Sequence, residues 1–488
     1  MTLDRISTGI GGLDEILHGG LLENRAYLVR GPPGTGKTIL GTQFLVAGAE
    51  QGESVLFVNL EETTDDVREN AASLGLDLDD VEFLDLSPNA EAFISNQSYD
   101  FFEVSDVEQE PFTETITTAI EETDPDRVFV DPITQLRYLT PDEHQFRKQA
   151  IGFMEYLTSQ DATVLFTSQN TAASSDEDLQ FLADGAITLD EDAVGHTIQV
   201  PKFRGSPTLS GQHTVRIETG GLAVYPELQS TEHGEEFVAE PISSGVPELD
   251  ELLNGGIERG TVTVISGPTG VGKTTLGTQF MKEAAGRGER SVVYLFEENA
   301  ATYRERSTAI NIPVATMEDH GTLLVKEMEP IDVSPQEFAQ RVRDEVETRD
   351  AELVMVDGTS GYEMSLPGQE DELRERLHAL CRYLKNMGVT VILVDETHTV
   401  TGEFSGTGSG LSYLADNVLF LRHIERAGEL QKVIGVLKKR TSDFEQALRE
   451  LSITEHGLKI GEPLTDLRGI LSGTPEWTES DESNTPSQ

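Results

Sequence analysis

With 488 residues, the chain is too long for one ordinary domain and suits two or three. It has one cysteine and no apolar run near the roughly 18 residues that a membrane helix needs, which excludes an intramolecular disulfide, a cysteine metal cluster and a bilayer-spanning helix. Lysine and arginine number 36 against 87 aspartates and glutamates, so the formal net charge is −51.

This excess of acid is far beyond what solubility requires and causes self-repulsion in dilute buffer. Molar salt shortens the Debye length to about 3 Å and screens the carboxylates from one another. The acid is spread along the chain, which favours a salt-rich cytosol, as in halophilic archaea, over an acidic face aimed at one basic partner. The first residues carry no basic region followed by an apolar stretch, so we expect a cytoplasmic protein.

The first element of the chain recurs in its second half. Residues 6–20 read Ile-Ser-Thr-Gly-Ile-Gly-Gly-Leu-Asp-Glu-Ile-Leu-His-Gly-Gly, and residues 242–256 read Ile-Ser-Ser-Gly-Val-Pro-Glu-Leu-Asp-Glu-Leu-Leu-Asn-Gly-Gly. The same offset of 236 residues relates Lys37 to Lys273. A repeat of this length predicts two copies of one domain.

The composition between and after the copies predicts the domain boundaries. The first domain covers 1–226 and the second covers 239–473. A polar stretch at 227–238 has little apolar periodicity and is typical of a linker. Residues 474–488 contain almost nothing to bury, so we expect a disordered acidic tail.

Within each half, short β-branched runs alternate with helical patterns. Continuous apolar strands between helices indicate an α/β fold, in which a mostly parallel sheet has helices on both faces. Ligands then collect at the carboxyl ends of the strands. The predicted strands are 26–30, 54–58, 127–131 and 163–167 in the first half, and 262–265, 291–296, 353–357 and 389–395 in the second.

A Gly-x-x-x-x-Gly-Lys-Thr motif follows the first strand of each half, at 31–38 and 267–274. Backbone N–H groups of such a loop wrap a phosphate, the lysine reaches the outer phosphates, and the threonine hydroxyl ligates Mg²⁺. The sequence therefore predicts ATP and Mg²⁺ as cofactors. The predicted ATP-binding residues are Gly31, Gly34, Thr35, Gly36, Lys37 and Thr38 in the first loop, and Gly267, Gly270, Val271, Gly272, Lys273, Thr274 and Thr275 in the second.

Two kinds of carboxylate accompany the loops. An aspartate ends one apolar strand of each half, where it can hold the Mg²⁺ shell or position water, or else cap the strand. A glutamate pair follows the second strand, 23 residues after the loop threonine, and could polarise an attacking water or hydroxyl; the alternative is a solvated turn. The predicted catalytic residues are Glu61, Glu62, Asp131, Glu297, Glu298 and Asp357.

Each half also ends in a basic island, Lys202 with Arg204 and Lys438 with Arg440. An arginine beside a γ-phosphate stabilises transition-state charge. Each island is far along the chain from its own phosphate loop, so we expect it to reach the nucleotide of a neighbouring subunit, which requires a ring. The alternative is ion pairing with local acids.

With these motifs in place, the chain resembles the KaiC family of clock ATPases and autokinases, within the RecA/RadA superfamily of P-loop NTPases, from about residue 3 to residue 475. The resemblance implies two tandem RecA-like domains and a double-ringed homo-hexamer with ATP between subunits. The first ring would hydrolyse ATP and the second would phosphorylate itself on serine or threonine. The family's extended C-terminal tail binds a regulatory partner, but the tail here is short and acidic, so the partner stays unknown.

The resemblance also implies roles for single residues. Glu61 and Glu62 would serve hydrolysis, whereas Glu297 would help Thr274 to hold Mg²⁺ and Glu298 would act as the base of the kinase reaction. The two basic islands match residues that touch ATP across the subunit boundary. Ser73 and Ile310 fall where the family contacts adenine.

The phosphoacceptor departs from the family pattern, which is an adjacent Ser-Thr pair. Ser412 takes the place of the serine, but Tyr413 stands where the threonine would be, so a two-site phosphorylation cycle does not follow. Thr407 and Ser409 are further candidates. The first half has Gln180 in the place of Ser412, so only the second half could phosphorylate itself there.

Two other functions remain open at this stage. A recombinase- or helicase-like DNA motor would use a related fold, although binding to nucleic acid depends on neutralising phosphates and this chain has few basic clusters. A nucleotide-gated regulatory scaffold would bind ATP without meaningful turnover.

Overall fold

The structure is a computed structural model that forms two compact units, Met1–Glu227 and Leu228–Gln488. The residues that it describes are 3–87, 117–139, 143–169, 177–192, 195–228, 240–365, 370–397, 413–426, 428–465, 467–468 and 476–477. Most of the predicted linker and almost all of the predicted tail lie outside these ranges. Within the predicted tail, Glu476–Trp477 forms a two-residue strand paired with Leu467–Arg468.

The first unit contains one nine-stranded sheet and a small antiparallel pair, β1 with β2. The strands are β1 Arg5–Ile6, β2 Leu21–Leu22, β3 Ala26–Arg30, β4 Val55–Asn59, β5 Glu82–Asp85, β6 Arg127–Asp131, β7 Thr163–Ser168, β8 Gly185–Asp192, β9 Gly195–Phe203, β10 His213–Glu218 and β11 Gly221–Tyr225. The sheet order is β11-β10-β9-β8-β3-β7-β6-β4-β5. Strands β5, β4, β6, β7, β3 and β8 are parallel, and β9, β10 and β11 extend the sheet in antiparallel pairs.

Helices connect the parallel strands of this unit. They are α1 Gly11–Ile16, α2 Lys37–Ala49, α3 Thr64–Ser73, α4 Glu143–Ser159 and α5 Glu177–Leu182, with a 3-10 helix at Ile133–Leu139. Residues 117–123 are also helical.

The second unit repeats this architecture. Its strands are β12 Pro241–Ile242, β13 Ile257–Glu258, β14 Val262–Gly267, β15 Arg290–Leu295, β16 Leu323–Glu327, β17 Ala351–Asp357, β18 Thr390–Glu396, β19 Asn417–Arg426, β20 Glu429–Lys439, β21 Arg449–Thr454, β22 Gly457–Pro463, β23 Leu467–Arg468 and β24 Glu476–Trp477. The nine-stranded sheet has the order β16-β15-β17-β18-β14-β19-β20-β21-β22. The first six strands of that order are parallel, and the last three are antiparallel.

The helices of the second unit again connect parallel strands. They are α6 Pro247–Leu252, α7 Lys273–Gly286, α8 Ala300–Ala309, α9 Val314–Asp319, α10 Pro335–Glu347, α11 Thr359–Glu363 and α12 Glu370–Asn386. None of the helices among the described residues of the chain has both the length and the apolar character of a membrane span.

Both faces of each sheet are buried because successive strand residues point to opposite sides. In the first unit, Phe57 packs in one apolar cluster with Phe44 of α2, whereas its neighbour Val58 packs in the other with Phe146 of α4. In the second unit, Val293 and Tyr294 divide in the same way. The predicted α/β class, with two tandem RecA-like domains, is confirmed.

Helix α2 lies directly against the sheet because Gly41 has no side chain. A Cβ atom at this position would lie 2.0 Å from the ring of Phe129 on β6. The equivalent Gly277 of α7 lies against Met355 of β17, where a Cβ atom would be 2.4 Å from the sulfur. These contacts hold the N-terminal half of each helix beside the strand that ends in an aspartate.

Candidate functional site

Each predicted phosphate loop lies between the central strand of its sheet and a helix, β3 and α2 in the first unit and β14 and α7 in the second. The residue before each helix is a glycine in the left-handed region, Gly36 with φ 95° and Gly272 with φ 111°. Glycine adopts this conformation without the steric cost that a side chain brings. Each loop therefore turns its backbone amides toward the start of a helix, which is a favourable site for a phosphate.

The lysine of each loop points back into the loop. The Lys37 ammonium donates to the carbonyl oxygens of Gly31 at 2.9 Å and Pro32 at 2.8 Å, and the Lys273 ammonium donates to that of Pro268 at 3.0 Å. Both side chains are buried, and burial lowers the pKa of both ammonium groups. The positive charge is thus held among the carbonyl groups and amides of the loop.

Other predicted loop residues contribute through the backbone. The Thr35 hydroxyl donates to the carbonyl of Pro32 at 2.9 Å, and Val271, in the same place in the second loop, is fully buried in the core. Thr275 is buried in the first turn of α7. Because these side chains are turned inward, the backbone amides are the groups that the loop offers to a phosphate.

The threonine that ends each loop is joined to an aspartate on the neighbouring β6 or β17. The Thr38 hydroxyl donates to Asp131 at 2.5 Å, and the Thr274 hydroxyl donates to Asp357 at 3.0 Å. Burial raises the pKa of both carboxyl groups, and at Asp357 it reaches about 7. A hydroxyl and a carboxylate at this distance are oxygen ligands of the kind that Mg²⁺ prefers.

The described residues include no group of three acidic, histidine or cysteine side chains that would hold a metal unaided. Mg²⁺ in proteins is usually held by one or two carboxylates together with phosphate oxygens and water. The donor set present fits a cation that arrives with a nucleotide.

The glutamate pairs follow the strands β4 and β15, next to the strands that carry the aspartates. Partial desolvation raises the pKa of Glu62, and the nearby charges of Asp131 and Glu61 add to this effect. Partial desolvation likewise raises the pKa values of Glu297 and Glu298. Because both pairs follow the carboxyl ends of parallel strands, they lie at the same sheet edge as the phosphate loop of their unit.

Neighbouring side chains that the motifs do not include contact these glutamates. The Gln169 amide donates to Glu61 at 2.8 Å, and Arg306 donates to Glu298 at 2.6 Å. Asn70 occupies the position of Arg306 in the first unit and contacts Glu62 at 3.5 Å. Aligning the two halves at the 236-residue offset pairs Asn70 with Arg306, a signal that the sequence already contained.

The first basic island lies at the other end of β3 from the phosphate loop. The backbone N–H of Arg204 donates to the carbonyl of Asp184, whose own N–H donates to Ala26, the first residue of β3. The loop starts after Arg30, about 13 Å further along the strand at about 3.3 Å per residue. Lys202 instead caps the end of α5, donating to the carbonyl oxygens of residues 180, 181 and 183.

The second island has the same placement. The N–H of Arg440 donates to the carbonyl of Asp416, whose N–H donates to Val262, the first residue of β14. The Arg440 guanidinium also contacts the Asp416 carboxylate at 3.4 Å and the carbonyl of Tyr413 at 3.2 Å. Lys438 lies in the same strand, β20, opposite Val418. Both islands are therefore remote from the phosphate loop of their own sheet.

The predicted acceptor Ser412 lies outside the described residues, as do Thr407 and Ser409. Its neighbour Tyr413 is exposed, and the Arg440 contact fixes its backbone. In the first unit, Arg204 makes the corresponding contact with the carbonyl of Phe181 at 3.3 Å. The matched contacts place Tyr413 and Phe181 at equivalent positions.

The two predicted adenine contacts lie at the ends of equivalent helices. Ser73 is the last residue of α3, is exposed, and donates to the carbonyl of Asn70 at 2.7 Å. Ile310 follows α8 and packs partly against the core of the second unit. Both helices begin just after a glutamate pair.

Comparison with known proteins places this arrangement in a family. The family model described as "ATPase: KaiC" matches residues 6–229 and again residues 242–465. The chain is 28% identical over 496 residues to "Circadian clock protein KaiC3" of Synechocystis sp., covering 98% of this chain and 96% of that protein. It is 27% identical over 495 residues to "Circadian clock oscillator protein KaiC" of Acaryochloris marina, covering 98% and 92%.

The buried Asp357 should make the stability of the second unit depend on pH. Its pKa is 3.8 when exposed and about 7 in the folded unit, so between about pH 4 and pH 7 the folded state keeps a proton that the unfolded state has lost. Stability therefore falls as the pH rises through this window, by at most about 1.4 kcal/mol per pH unit. Urea unfolding without nucleotide or Mg²⁺ should show this fall.

In the Asp357→Asn variant, the free energy of unfolding should change less with pH over the same window, because the variant lacks the carboxyl group that binds a proton in the folded state but not in the unfolded state. A variant that kept the full wild-type slope would contradict the assignment of this proton to Asp357.

Proposed function

The chain belongs to the KaiC ATPase family, and from this premise we propose that it hydrolyses Mg²⁺-ATP in its first domain and phosphorylates itself on serine or threonine in its second. The acting form is a homo-hexamer with ATP between subunits, in a salt-rich cytoplasm. The observation that carries the proposal is the recurrence of one site geometry in both units, with the basic island at the opposite edge of each sheet.

The loops bind the phosphates in this proposal. Backbone amides at the starts of α2 and α7 surround them, and Lys37 and Lys273 neutralise the outer oxygens. Thr38 and Thr274, with Asp131 and Asp357 behind them, would hold the cation. Bound Mg²⁺ would neutralise negative charge on the phosphates.

The glutamate pairs then divide the chemistry. In the first domain, Glu61 and Glu62 orient and deprotonate the attacking water. In the second, Glu297 adds a carboxylate to the cation, and Glu298 accepts the proton of an attacking hydroxyl. Burial raises the pKa of Glu298 toward neutral pH, and a general base works best when its pKa is near the working pH.

The position of the basic islands supports the ring. Lys202, Arg204, Lys438 and Arg440 lie at the amino ends of the central strands, whereas the phosphate loops lie at the carboxyl ends. An island can complete a nucleotide site only when a second copy presents it to the loop. Each site in the ring is then built from two subunits, as heterologous interfaces in cyclic assemblies require.

The same geometry supports self-phosphorylation across the subunit boundary. The Arg440 contact holds the backbone of Tyr413, the residue that follows Ser412 in the sequence, at the basic island. An island that reaches the γ-phosphate of a neighbour therefore carries Tyr413 with it. Gln180 stands at the corresponding position of the first domain and has no hydroxyl to offer.

Replacing both Glu61 and Glu62 with Gln should remove most of the ATP hydrolysis of the full chain. A positioned general base contributes about 10²–10⁴-fold, and an amide cannot take its place. The rate is measured as phosphate release in high salt. The matched control replaces the exposed adjacent pair Glu121 and Glu122 with Gln and should keep the wild-type rate.

Undiminished hydrolysis in the Glu61→Gln, Glu62→Gln variant would contradict the assignment of turnover to the first domain.

Incubation with labelled ATP in high salt should label a peptide that contains residues 405–416, and Ser412→Ala should abolish this label. Lys273→Ala should also abolish it, because the second loop then loses its contact with the outer phosphates. The control is Lys282→Ala, nine residues further along the same helix, which should still be labelled. A chain that carries no label would contradict the kinase proposal and leave the ATPase proposal standing.

A further inference from the structure

A glutamine that follows β7 contacts the first glutamate pair. Gln169 comes directly after Ser168, and the register of β7 with β3 places Ser168 opposite Arg30, next to the start of the phosphate loop. The Gln169 amide donates to the Glu61 carboxylate at 2.8 Å. Two residues separated by 108 positions in the chain are thus brought together at the edge where the nucleotide would bind.

This contact restricts the conformation of the Glu61 side chain. The side chain is exposed, and a long exposed carboxylate can sample many rotamers. A hydrogen bond from a fixed donor favours the rotamer in which the carboxylate meets it. Gln169 itself is half-buried at the end of a fully buried strand, so the donor is held in place.

The second unit has a different residue at this position. The register of β18 with β14 pairs Asp395 with Ser266 and Glu396 with Gly267, so Glu396 occupies the place of Gln169. A carboxylate cannot donate to a glutamate. Glu396 lies near enough to Glu297 for the two charges to repel, together with Asp395, while the charge of Lys273 opposes them.

The second glutamate of each pair also has a different side-chain partner in the two units. In the second unit, Arg306 holds Glu298 at 2.6 Å, whereas Asn70 of the first unit contacts Glu62 at only 3.5 Å. The side-chain donors therefore differ: an amide holds the first glutamate in the first site, and a guanidinium holds the second glutamate in the second site. Glu297 accepts instead from the backbone N–H of Gly361.

We propose that Gln169 is a positioning residue for hydrolysis, holding the Glu61 carboxylate in the rotamer that orients the attacking water. The inference rests on the proposed role of Glu61. It adds that the first site depends on a neutral donor after β7, which the charge of Glu396 denies to the second site.

The test measures ATP hydrolysis by the full chain in high salt. The share of the first domain is the difference between the rate of the wild type and the rate of the Glu61→Gln, Glu62→Gln variant. Gln169→Ala should lower the kcat of this share about tenfold, because an unfixed carboxylate is rarely aligned. Gln169→Glu should lower it further, because the new charge repels Glu61. The KM for ATP should stay within about twofold in both variants, because neither change touches the groups assigned to the phosphates.

The matched control is Gln51→Glu, which makes the same chemical change on an exposed glutamine beyond the far end of α2. The helix places it about 20 Å from the loop at 1.5 Å per residue, so kcat should not change. Thermal midpoints of all variants report whether the fold is kept.

The order of the two Gln169 variants separates positioning from packing. Glutamate has nearly the shape of glutamine, so a packing role would leave Gln169→Glu closer to the wild type than Gln169→Ala. That order, an unchanged kcat in Gln169→Ala, or a change confined to KM would overturn the inference. Failure of the proposed function gives a different result, in which the Glu61→Gln, Glu62→Gln variant itself hydrolyses ATP at the wild-type rate.

Discussion

The direction of the parallel strands is the constraint on which the rest of the structure depends. Because these strands run the same way, the residues that follow β3, β4, β6 and β7 all lie at one edge of the sheet. The strand order places β3, which carries the phosphate loop, between β8 and β7. Because β9 pairs antiparallel with β8, it runs back to the opposite edge and leaves Lys202 and Arg204 there. One sheet therefore presents a phosphate loop at one edge and a basic island at the other, and the proposed ring is the assembly that would join the loop of one copy to the island of the next.

The two units share this geometry but differ in charge. The threonine-to-aspartate hydrogen bond and the lysine within the loop recur in both units, so both units offer the same groups to a nucleotide. The differences lie among the side chains around the glutamates, where an amide faces Glu61 and a guanidinium faces Glu298. In the proposed division of labour, such side-chain exchanges tune the carboxylates of two similar folds, because the charge of a nearby donor changes the electrostatics of the group that it faces.

Much of this arrangement could be predicted from the sequence, because its signals are local. The apolar runs predicted strands that the structure confirms, and the loop motif predicted the strand-to-helix junctions of both units. The antiparallel strands β9–β11 and β20–β22 were not predicted. In β9, β10 and β21, buried residues alternate with partly exposed ones, so these strands lack the continuous apolar signal of a buried parallel strand. The contact of Gln169 with Glu61 was missed because it depends on the register of β7, which local pattern does not reveal. Ser412 stays a prediction, because it lies outside the described residues.

The measurement that tests the shared site most directly is complementation between two inactive chains. One chain carries Glu61→Gln and Glu62→Gln, the other carries Lys202→Ala and Arg204→Ala, and the two are co-expressed and purified together. If each site combines the loop of one copy with the island of the next, random mixing makes about a quarter of the first-domain sites fully intact, and hydrolysis should rise well above that of either variant alone. Hydrolysis equal to the average of the two separate variants would contradict the claim that the island acts on a neighbouring subunit.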